Sequence, residues 1–376
     1  MTKHLPALFT SLKIRDVTLK NRIMVSPMSM YSAIDGYATE WHYTHYAKYA
    51  TGGAGLVCIE ASKVDTNGVG TLGDLGLWKD EHIAPIKRIA DMIRSEGSIS
   101  GIQLNHSGRK AGTARPWHGF GPLDRSVKVE GRDHWPVVAP SPIAYLDGWP
   151  VPRELTQDGI DEVIAAFAQA ARRANDAGID VLEIHGAHGY LIHEFLSPAA
   201  NQRKDRYGGS MENRMRFALE VTQAVRRCWP AGKPLFFRVS AQDENGWTIG
   251  DSIVLARELK PLGVDAIDCS SGGISVRSPT ASNIAHQLGF QVPFAEAIRR
   301  EADIMTIAVG LIVKTQQAEG ILANGQADIV ALGREMLYNP FWPIHAAAEL
   351  GLDPEFRNMP EQYGWWLARR AKAGYK

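Results

Sequence analysis

The chain has 376 residues, which is enough for one large barrel with insertions or for two average domains. Hydrophobic residues at 45% and charged residues at 22% are typical of a globular protein, which excludes disordered and fibrous classes. Because 41 basic residues balance 41 acidic ones, the chain has no net charge that would attract nucleic acid or an anionic membrane surface. We therefore expect a small or neutral partner.

The cysteines and the amino-terminal residues indicate the cellular compartment in which we expect the protein. Cys58, Cys228 and Cys269 are an odd number without close spacing, which disfavours a disulfide framework, a zinc ribbon and an iron-sulfur cluster. Residues 1–14 lack the continuous apolar core of a signal peptide, and no run approaches the roughly twenty apolar residues of a transmembrane helix. We expect a cytoplasmic protein.

Short apolar runs rich in β-branched residues alternate with longer segments of helical spacing. We predict strands at 23–25, 56–59, 98–104, 181–185, 235–239, 266–270, 305–309 and 329–332. We predict helices near 40–51, 80–96, 156–177, 211–228, 251–262, 291–301, 314–324 and 335–349. In the third helix, Thr156 suits the N-cap and Gly178 can end the helix in a left-handed conformation. Eight strand-helix units predict a single α/β domain over residues 1–376, a parallel (β/α)₈ TIM barrel.

An open, doubly wound sheet is the alternative fold, and it would carry a dinucleotide fingerprint. Residues 68–73 read Gly-Val-Gly-Thr-Leu-Gly and match G-x-G-x-x-G. That fingerprint follows a strand directly and opens a helix, whereas this stretch lies well past Ala61 and the next helical pattern begins only near Asp80. We interpret it as a glycine-rich loop and not as a phosphate cradle.

The connection from 112 to 152 is unusually long. It is rich in proline, contains Trp117, Trp135 and Trp149, and has little helical or alternating pattern. A long structureless loop in a compact domain is usually either functional or disordered. The tryptophans favour an ordered lid, inserted after the third predicted strand.

Polar residues follow the predicted strands at their carboxyl ends, where barrel enzymes place their active sites. In chain order these ends carry Ser26 to Ser29, Glu60 and Ala61, Gln103, His185, Arg238, Cys269 to Gly273, Gly310, and Gly333 with Arg334. The loops after strands seven and eight of a barrel often bind a phosphate, through glycine backbone N–H groups and an arginine. A phosphorylated cofactor is therefore expected, although a simple turn with a salt bridge explains Gly333 and Arg334 equally well.

The densest polar cluster is His185, His188 and Tyr190, followed by His193. Two imidazole donors beside a phenol suit a substrate oxygen that gains negative charge during reaction. The alternative is a metal-dependent hydrolase that uses the three histidines. No carboxylate completes a facial triad in the motif, and His193-Glu194 does not begin an H-E-x-x-H helix, so we expect no metal.

Four stretches together resemble the old yellow enzyme family. They span residues 19–31, 101–110, 183–198 and 205–214, and the third begins Glu-Ile-His-Gly-Ala-His-Gly-Tyr. Over nearly its whole length the chain is similar to the thermophilic-like class, which includes bacterial xenobiotic reductases. The resemblance implies an FMN-dependent ene-reductase with a ping-pong scheme, in which NADPH or NADH and an activated alkene use one flavin in turn. A flavin-binding protein with little catalysis is the remaining alternative.

The resemblance also implies roles for individual residues. FMN would contact ring-binding and phosphate-binding residues, namely Ser26, Pro27, Met28, Ser29, Ala61, Gln103 and Arg238 for the ring and Gly310, Gly333 and Arg334 for the phosphate. His185 and His188 would donate hydrogen bonds to the carbonyl or nitro oxygen of the substrate, which withdraws electron density from the β-carbon that accepts the hydride. Tyr190 would protonate the α-carbon, and Tyr31 would shape the pocket.

Two positions depart from this class. Ser29 stands where the class usually has a cysteine, and Trp365 stands where an arginine of a Tyr-x-Arg motif reaches a neighbouring subunit. The expected partners are small activated alkenes and further copies of the chain in a dimer or tetramer. We interpret Arg109, Lys110 and Arg115 near the lid as surface charges and not as readers of a 2′-phosphate.

Overall fold

The computed structural model describes residues 5–123, 137–275, 286–357 and 359–375. The strands are β1 (Leu12–Ile14), β2 (Val17–Leu19), β3 (Ile23–Val25), β4 (Leu56–Lys63), β5 (Ile99–Asn105), β6 (Val138–Ala139), β7 (Arg153–Glu154), β8 (Val181–Gly186), β9 (Leu235–Ser240), β10 (Ala266–Ser270), β11 (Met305–Ala308) and β12 (Ile329–Leu332). The helices are α1 (Glu40–Thr51), α2 (Ile83–Ser95), α3 (Gln157–Asp176), α4 (Leu191–Leu196), α5 (Met211–Cys228), α6 (Ile249–Leu259), α7 (Val292–Ala302), α8 (Thr315–Ala323), α9 (Arg334–Tyr338), α10 (Trp342–Glu349) and α11 (Glu361–Lys372).

Eight parallel strands close into a barrel in the order β3-β4-β5-β8-β9-β10-β11-β12, and β12 pairs back onto β3. These are the eight strands that the sequence predicts, each starting within one residue of its expected position. The (β/α)₈ barrel is therefore confirmed. No helix in the described ranges is long and apolar enough to cross a membrane.

Two hydrophobic clusters alternate along the barrel strands because successive side chains of a strand point to opposite faces. On β9, Phe236 joins the inner cluster, whereas Leu235 and Phe237 join the outer cluster that packs against the helices. The hairpin of β1 and β2 adds Ile14 and Leu19 to the inner cluster. The interior of the barrel is thus a packed core, and its polar residues concentrate toward the carboxyl ends of the strands.

The predicted caps of the third helix are confirmed. The Thr156 hydroxyl accepts a hydrogen bond from the Gly159 backbone at 3.2 Å, and Gly178 has a φ of +78° after the end of α3. One predicted helix is wrong, because the segment 335–349 forms two helices, α9 and α10. Pro340 separates them, since proline lacks an N–H donor and disfavours helical conformation in the residue before it.

The long connection after β5 is partly described by the structure. Residues 124–136, which include Trp135, lie outside the described residues. On either side of them, β6 pairs in parallel with β7, and the Tyr145 and Trp149 rings meet edge to face at 4.9 Å between centroids. The Trp117 ring lies edge-on to Tyr31, with 5.7 Å between centroids. The insertion therefore contacts the wall of the barrel mouth.

Candidate active site

A cavity of about 500 Å³ opens at the carboxyl ends of the barrel strands. Its lining includes all fourteen residues that the sequence predicts for the site, namely Ser26, Pro27, Met28, Ser29, Tyr31, Ala61, Gln103, His185, His188, Tyr190, Arg238, Gly310, Gly333 and Arg334. Parallel closure explains the convergence, because it brings the carboxyl ends of all eight strands to one mouth. Phe290, Gln291 and Leu311 also line the cavity, and no motif or strand-end position in the sequence had indicated them as site residues.

Two imidazole nitrogens face one another in the cavity. The Nε2 atom of His185 and the Nδ1 atom of His188 lie 3.3 Å apart. Burial lowers the pKa of both rings well below the usual value, and the nearby positive charge of Arg238 lowers both pKa values further. Both histidines are therefore neutral near pH 7, and each carries one N–H donor.

Contacts on the far sides of the rings influence where those protons lie. The Ala187 backbone donates to Nδ1 of His185 at 3.3 Å, which leaves the proton of His185 on Nε2. The Gln291 amide donates to the Ser270 hydroxyl oxygen at 3.3 Å, and that hydroxyl can donate to Nε2 of His188 at 2.7 Å. With that direction the proton of His188 lies on Nδ1, whereas with the reverse direction Nδ1 of His188 accepts from Nε2 of His185 across the 3.3 Å contact. An acceptor oxygen bound beside the pair favours the first arrangement, because both N–H groups can then donate to it.

His188 occupies a strained backbone position that its surroundings enforce. Its φ is +60°, in the left-handed region that disfavours non-glycine residues. A Cβ atom on Gly273 would approach the His188 backbone to 2.8 Å, so only glycine permits the two loops to press together. Lys110 joins them, because its Nζ donates to the carbonyl of His188 at 2.7 Å and to that of Gly273 at 2.6 Å.

Tyr190 lies beside the histidine pair. Its ring meets that of His185 edge to face at 5.1 Å between centroids, and the ammonium groups of Lys63 and Lys110 lie 5.3 and 5.6 Å from its centroid. Removal from bulk water, reinforced by the negative charge of Asp74, raises the pKa of the Tyr190 phenol above its usual value. The phenol therefore holds its proton at neutral pH and can serve as an acid.

The floor of the cavity is polar. Gln103 and Arg238 both line it from within the barrel, and both are largely buried. The amide nitrogen of Gln103 donates to Glu183 at 2.7 Å, so the amide oxygen is the atom left to accept a hydrogen bond from a ligand. The Nε atom of Arg238 lies 3.4 Å from Asp268.

The loop at 68–73 is an ordinary glycine-rich loop, as predicted. The backbone N–H groups of Gly70 and Thr71 donate to the Asp74 carboxylate at 3.0 and 3.1 Å and are not available to a phosphate. Gly73 has a packing role, because a Cβ atom there would lie 2.0 Å from the carbonyl oxygen of Tyr31. Tyr31 itself has a φ of +54°, and its carbonyl accepts from Arg115 Nε at 3.0 Å.

The interpretation of Arg109 and Lys110 as surface charges is wrong. Their exposed fractions are only 3% and 6%. Arg109 donates to the carbonyl of Ile274, and burial lowers the pKa of Lys110 to about 7. Both side chains act as internal ties between loops of the barrel mouth.

His193 is not part of the cavity lining in the described residues. Its Nδ1 atom accepts from the Gly189 backbone at 2.8 Å, and its Nε2 atom lies 3.6 Å from the Asp243 carboxylate. His193 therefore holds the loop that carries His188 and Tyr190. This placement gives no support to a metal site made of the three histidines.

The family model described as NADH:flavin oxidoreductase / NADH oxidase matches residues 7–353. The chain belongs to this family. An NADPH dehydrogenase of Geobacillus sp. (strain WCH70) is 47% identical over 348 residues, which cover 92% of this chain and 94% of that protein. An NADPH dehydrogenase of Bacillus subtilis (strain 168) is 45% identical over 364 residues, which cover 95% and 99% of the two chains.

Solved structures similar to this chain show the same architecture. Morphinone reductase superposes with a TM-score of 0.77 at 26% identity, covering 97% of this chain and 94% of that one. A 2-naphthoyl-CoA reductase superposes with a TM-score of 0.79 at 25% identity, covering 93% of this chain and 53% of that one. The resemblance to the old yellow enzyme family is thereby confirmed. The chain is an NAD(P)H-dependent flavin oxidoreductase, and FMN is its flavin.

Proposed function

We propose that this flavin oxidoreductase is an ene-reductase, which uses NAD(P)H to add hydrogen across the carbon-carbon double bond of an α,β-unsaturated carbonyl or nitro compound. The pairing of two neutral imidazoles beside a protonated phenol carries the proposal. A carbonyl or nitro oxygen of the substrate accepts one hydrogen bond from each imidazole N–H group, and the phenol supplies the proton that the reduced product needs.

The residues of the cavity fit FMN. The Nε atom of buried Arg238 has no hydrogen-bond partner in the described residues, although it lies near Asp268, and the Gln103 amide oxygen is free to accept. A guanidinium and an acceptor oxygen on one floor suit a planar ring that carries an N–H group and becomes anionic on reduction. At the rim, Gly333 and the exposed Arg334 suit a phosphate, and Gly310 has a φ of +101° that a side chain would rarely adopt.

We assign the contacts to FMN accordingly. Ser26, Pro27, Met28, Ser29, Ala61, Gln103 and Arg238 would hold the ring, and Gly310, Gly333 and Arg334 would hold the phosphate. Bound FMN would supply the redox chemistry of the site, by taking a hydride from the nicotinamide and passing it to the alkene. Arg238 favours the reduced state of the site, because its positive charge offsets the negative charge that reduction brings.

The remaining chemistry belongs to side chains of this chain. The N–H groups of His185 and His188 hold the substrate oxygen and draw electron density from the double bond, which makes the β-carbon electrophilic. Tyr190 donates its proton to the α-carbon, so hydride and proton add across the bond. Tyr31 forms the facing wall. Since one cavity contains all these groups, nicotinamide and alkene occupy it in turn.

The insertion from 112 to 152 acts as the lid of this cavity in our proposal, supported by the Trp117 contact with Tyr31. The exposed side chains of Tyr363, Trp365 and Trp366 on α11 favour assembly into a dimer or tetramer. Buried, unpaired Cys58 and Cys269 suit the reducing environment of a cytoplasm.

The colour of the purified protein tests the proposal. We expect a yellow solution that bleaches with NAD(P)H in the absence of oxygen and recovers its colour when an enone is added. Steady turnover of the enone separates an ene-reductase from an inert flavin-binding protein. A reduced flavin that no enone or nitroalkene reoxidises would contradict the proposed substrate class.

Ser29 provides a prediction specific to this chain. A serine hydroxyl neither ionises near neutral pH nor reacts with oxidants, whereas a cysteine does both. We expect the flavin potential of the wild type to be unaffected by alkylating reagents, and Ser29→Cys to shift that potential and to make it sensitive to them. Dye-coupled redox titration before and after alkylation measures both effects.

Exposed Cys228 reacts with the reagent in both proteins, so the flavin potential and not the extent of labelling is the readout. A Cys228→Ser background removes this reaction and serves as the control. Identical potentials and identical half-reaction rates in wild type and Ser29→Cys would leave Ser29 without an electronic role.

A further inference from the structure

Two carboxyl groups lie inside the barrel beneath the cavity. Glu183 on β8 and Asp268 on β10 are both fully buried, and β9, which carries Arg238, runs between them. Glu183 accepts from Gln103 at 2.7 Å, and Asp268 lies 3.4 Å from Arg238. Each carboxyl group thus contacts one of the two polar side chains on the cavity floor.

The hydrogen bonding of this group is incomplete. Oε2 of Glu183, both carboxyl oxygens of Asp268 and Nε of Arg238 lack a hydrogen-bond partner in the described residues. Two ionised carboxylates beside one guanidinium would leave one uncompensated negative charge in a dry interior. Burying such a charge is costly, whereas one proton between the carboxyl groups makes the group neutral.

The neighbouring strands supply no other ion to balance the charge. Among the described residues, the inner faces of β3, β11 and β12 contribute apolar side chains, namely Met24, Met305, Ile307, Ile329 and Ala331, and Val309 after β11 is apolar too. The thiol of Cys58 on β4 faces the pair, and burial together with the two carboxyl groups raises its pKa, so it stays neutral. His185 is neutral as well, which leaves Arg238 as the cation that acts on the pair.

We propose that Glu183 and Asp268 share a single proton and act as a positioning pair, which orients the Gln103 amide and sets how much of the Arg238 charge reaches the flavin. The inference rests on the proposed function, because the ligand of Gln103 and Arg238 is taken to be FMN. With one proton present, Glu183 still accepts from Gln103 and the amide oxygen faces the cavity. One negative charge remains and balances the positive charge of Arg238.

The titration of the pair agrees with this geometry. Burial raises the pKa of Glu183 from 4.5 to about 8, and the charge of Asp268 adds to the rise. Burial likewise raises the pKa of Asp268, against the opposing effect of Arg238. The folded protein therefore holds a proton at neutral pH that the unfolded chain releases. Above about pH 8 the pair loses it and gains a second negative charge beneath the cavity.

The first experiment detects this proton through the pH dependence of unfolding, in protein without bound flavin. The variant Glu183→Gln keeps the hydrogen bond from Gln103 and gives Asp268 an N–H donor in place of the proposed shared proton, but it cannot ionise. A folded pKa above the unfolded pKa means that the charged form of Glu183 disfavours folding, so wild-type stability falls as pH rises from about 4.5 to about 8. Chemical unfolding of both apoproteins should show their unfolding constants diverging by up to about tenfold per pH unit in this window. Parallel curves would overturn the shared proton.

The second experiment measures the potential of bound FMN between pH 6 and 9. Asp268→Asn removes the negative charge beside Arg238, and we expect reduced FMN to be favoured at least about tenfold more, a rise of about 30 mV for a two-electron couple. The wild type should show an additional fall in potential above about pH 8, which Glu183→Gln lacks. Wild-type potentials in both variants would overturn the role of the pair.

Glu194→Gln is the matched control. Glu194 is also fully buried with a pKa that burial raises to about 8, but it accepts from the Arg109 backbone and does not line the cavity. Its variant should change the pH dependence of unfolding and leave the potential unchanged, and a potential shift equal to that of Asp268→Asn would overturn the proposal. A chain that binds no FMN would overturn the proposed function, while the unfolding curves would still report the proton.

Discussion

Replacement of Tyr190 by phenylalanine is expected to slow reoxidation of the flavin by an enone by about 10² to 10⁴, the range for loss of a positioned general acid. Flavin reduction by NAD(P)H should stay near wild type, since hydride transfer from nicotinamide needs no acid at this position. The raised pKa of the Tyr190 phenol, caused first by its removal from water, keeps the proton in place until the α-carbon accepts it. Stopped-flow measurement of the two half-reactions separates these effects.

Tyr31→Phe is the control for this change. Tyr31 lines the same cavity, and burial raises the pKa of its phenol too, but its role is to shape the wall. We expect a small effect on both half-reactions. Equal slowing of the two half-reactions in Tyr190→Phe would show that Tyr190 only positions ligands, and unchanged rates would remove it from the mechanism.

The double variant His185→Ala with His188→Ala is expected to bind phenolic and enone ligands much more weakly while retaining FMN. Each lost donor removes a hydrogen bond to the ligand oxygen, worth on the order of 1 to 3 kcal/mol. The two facing imidazole nitrogens, 3.3 Å apart, are the structural basis, and the rim residues proposed to hold the phosphate are untouched. Titration of ligand-induced changes in the flavin spectrum gives the dissociation constants.

Ser270→Ala tests the assigned tautomer of His188 in a milder way. The variant removes the hydroxyl 2.7 Å from Nε2 of His188, and with it the donor that favours the form of His188 with its proton on Nδ1. We expect weaker ligand binding than in wild type and stronger binding than in the double histidine variant. Ligand spectra in the double variant that match those of wild type would refute the placement of the substrate oxygen.

The sequence alone determined the barrel and the set of side chains at its mouth. Parallel strands alternating with helices allow few topologies, and closure brings every strand end to one face. Residues such as His185, Arg238 and Gly333 could therefore be selected by their position after a strand. The resemblance to the old yellow enzyme family added expected roles for them, which remain proposals to test.

The hydrophobic pattern gave a wrong helix prediction where a proline interrupts the chain. The helical spacing continues through 335–349, but Pro340 ends α9 and α10 begins after it. The hairpin of β1 and β2 and the helix α11 lie in short or terminal segments, where periodicity is too brief to decide between structures.

Tertiary structure alone decided which side chains meet. Hydrophobic periodicity assigns a residue to a face of a strand, but it does not identify the partner that faces it across the barrel. The shared environment of Glu183 and Asp268 depends on strand register and closure, as does the contact of Ser270 with His188. The burial of Lys110 likewise follows from loops that fold over it. The sequence shows that a side chain is charged, but only the packing around it determines whether water or a backbone carbonyl group accepts its hydrogen bonds.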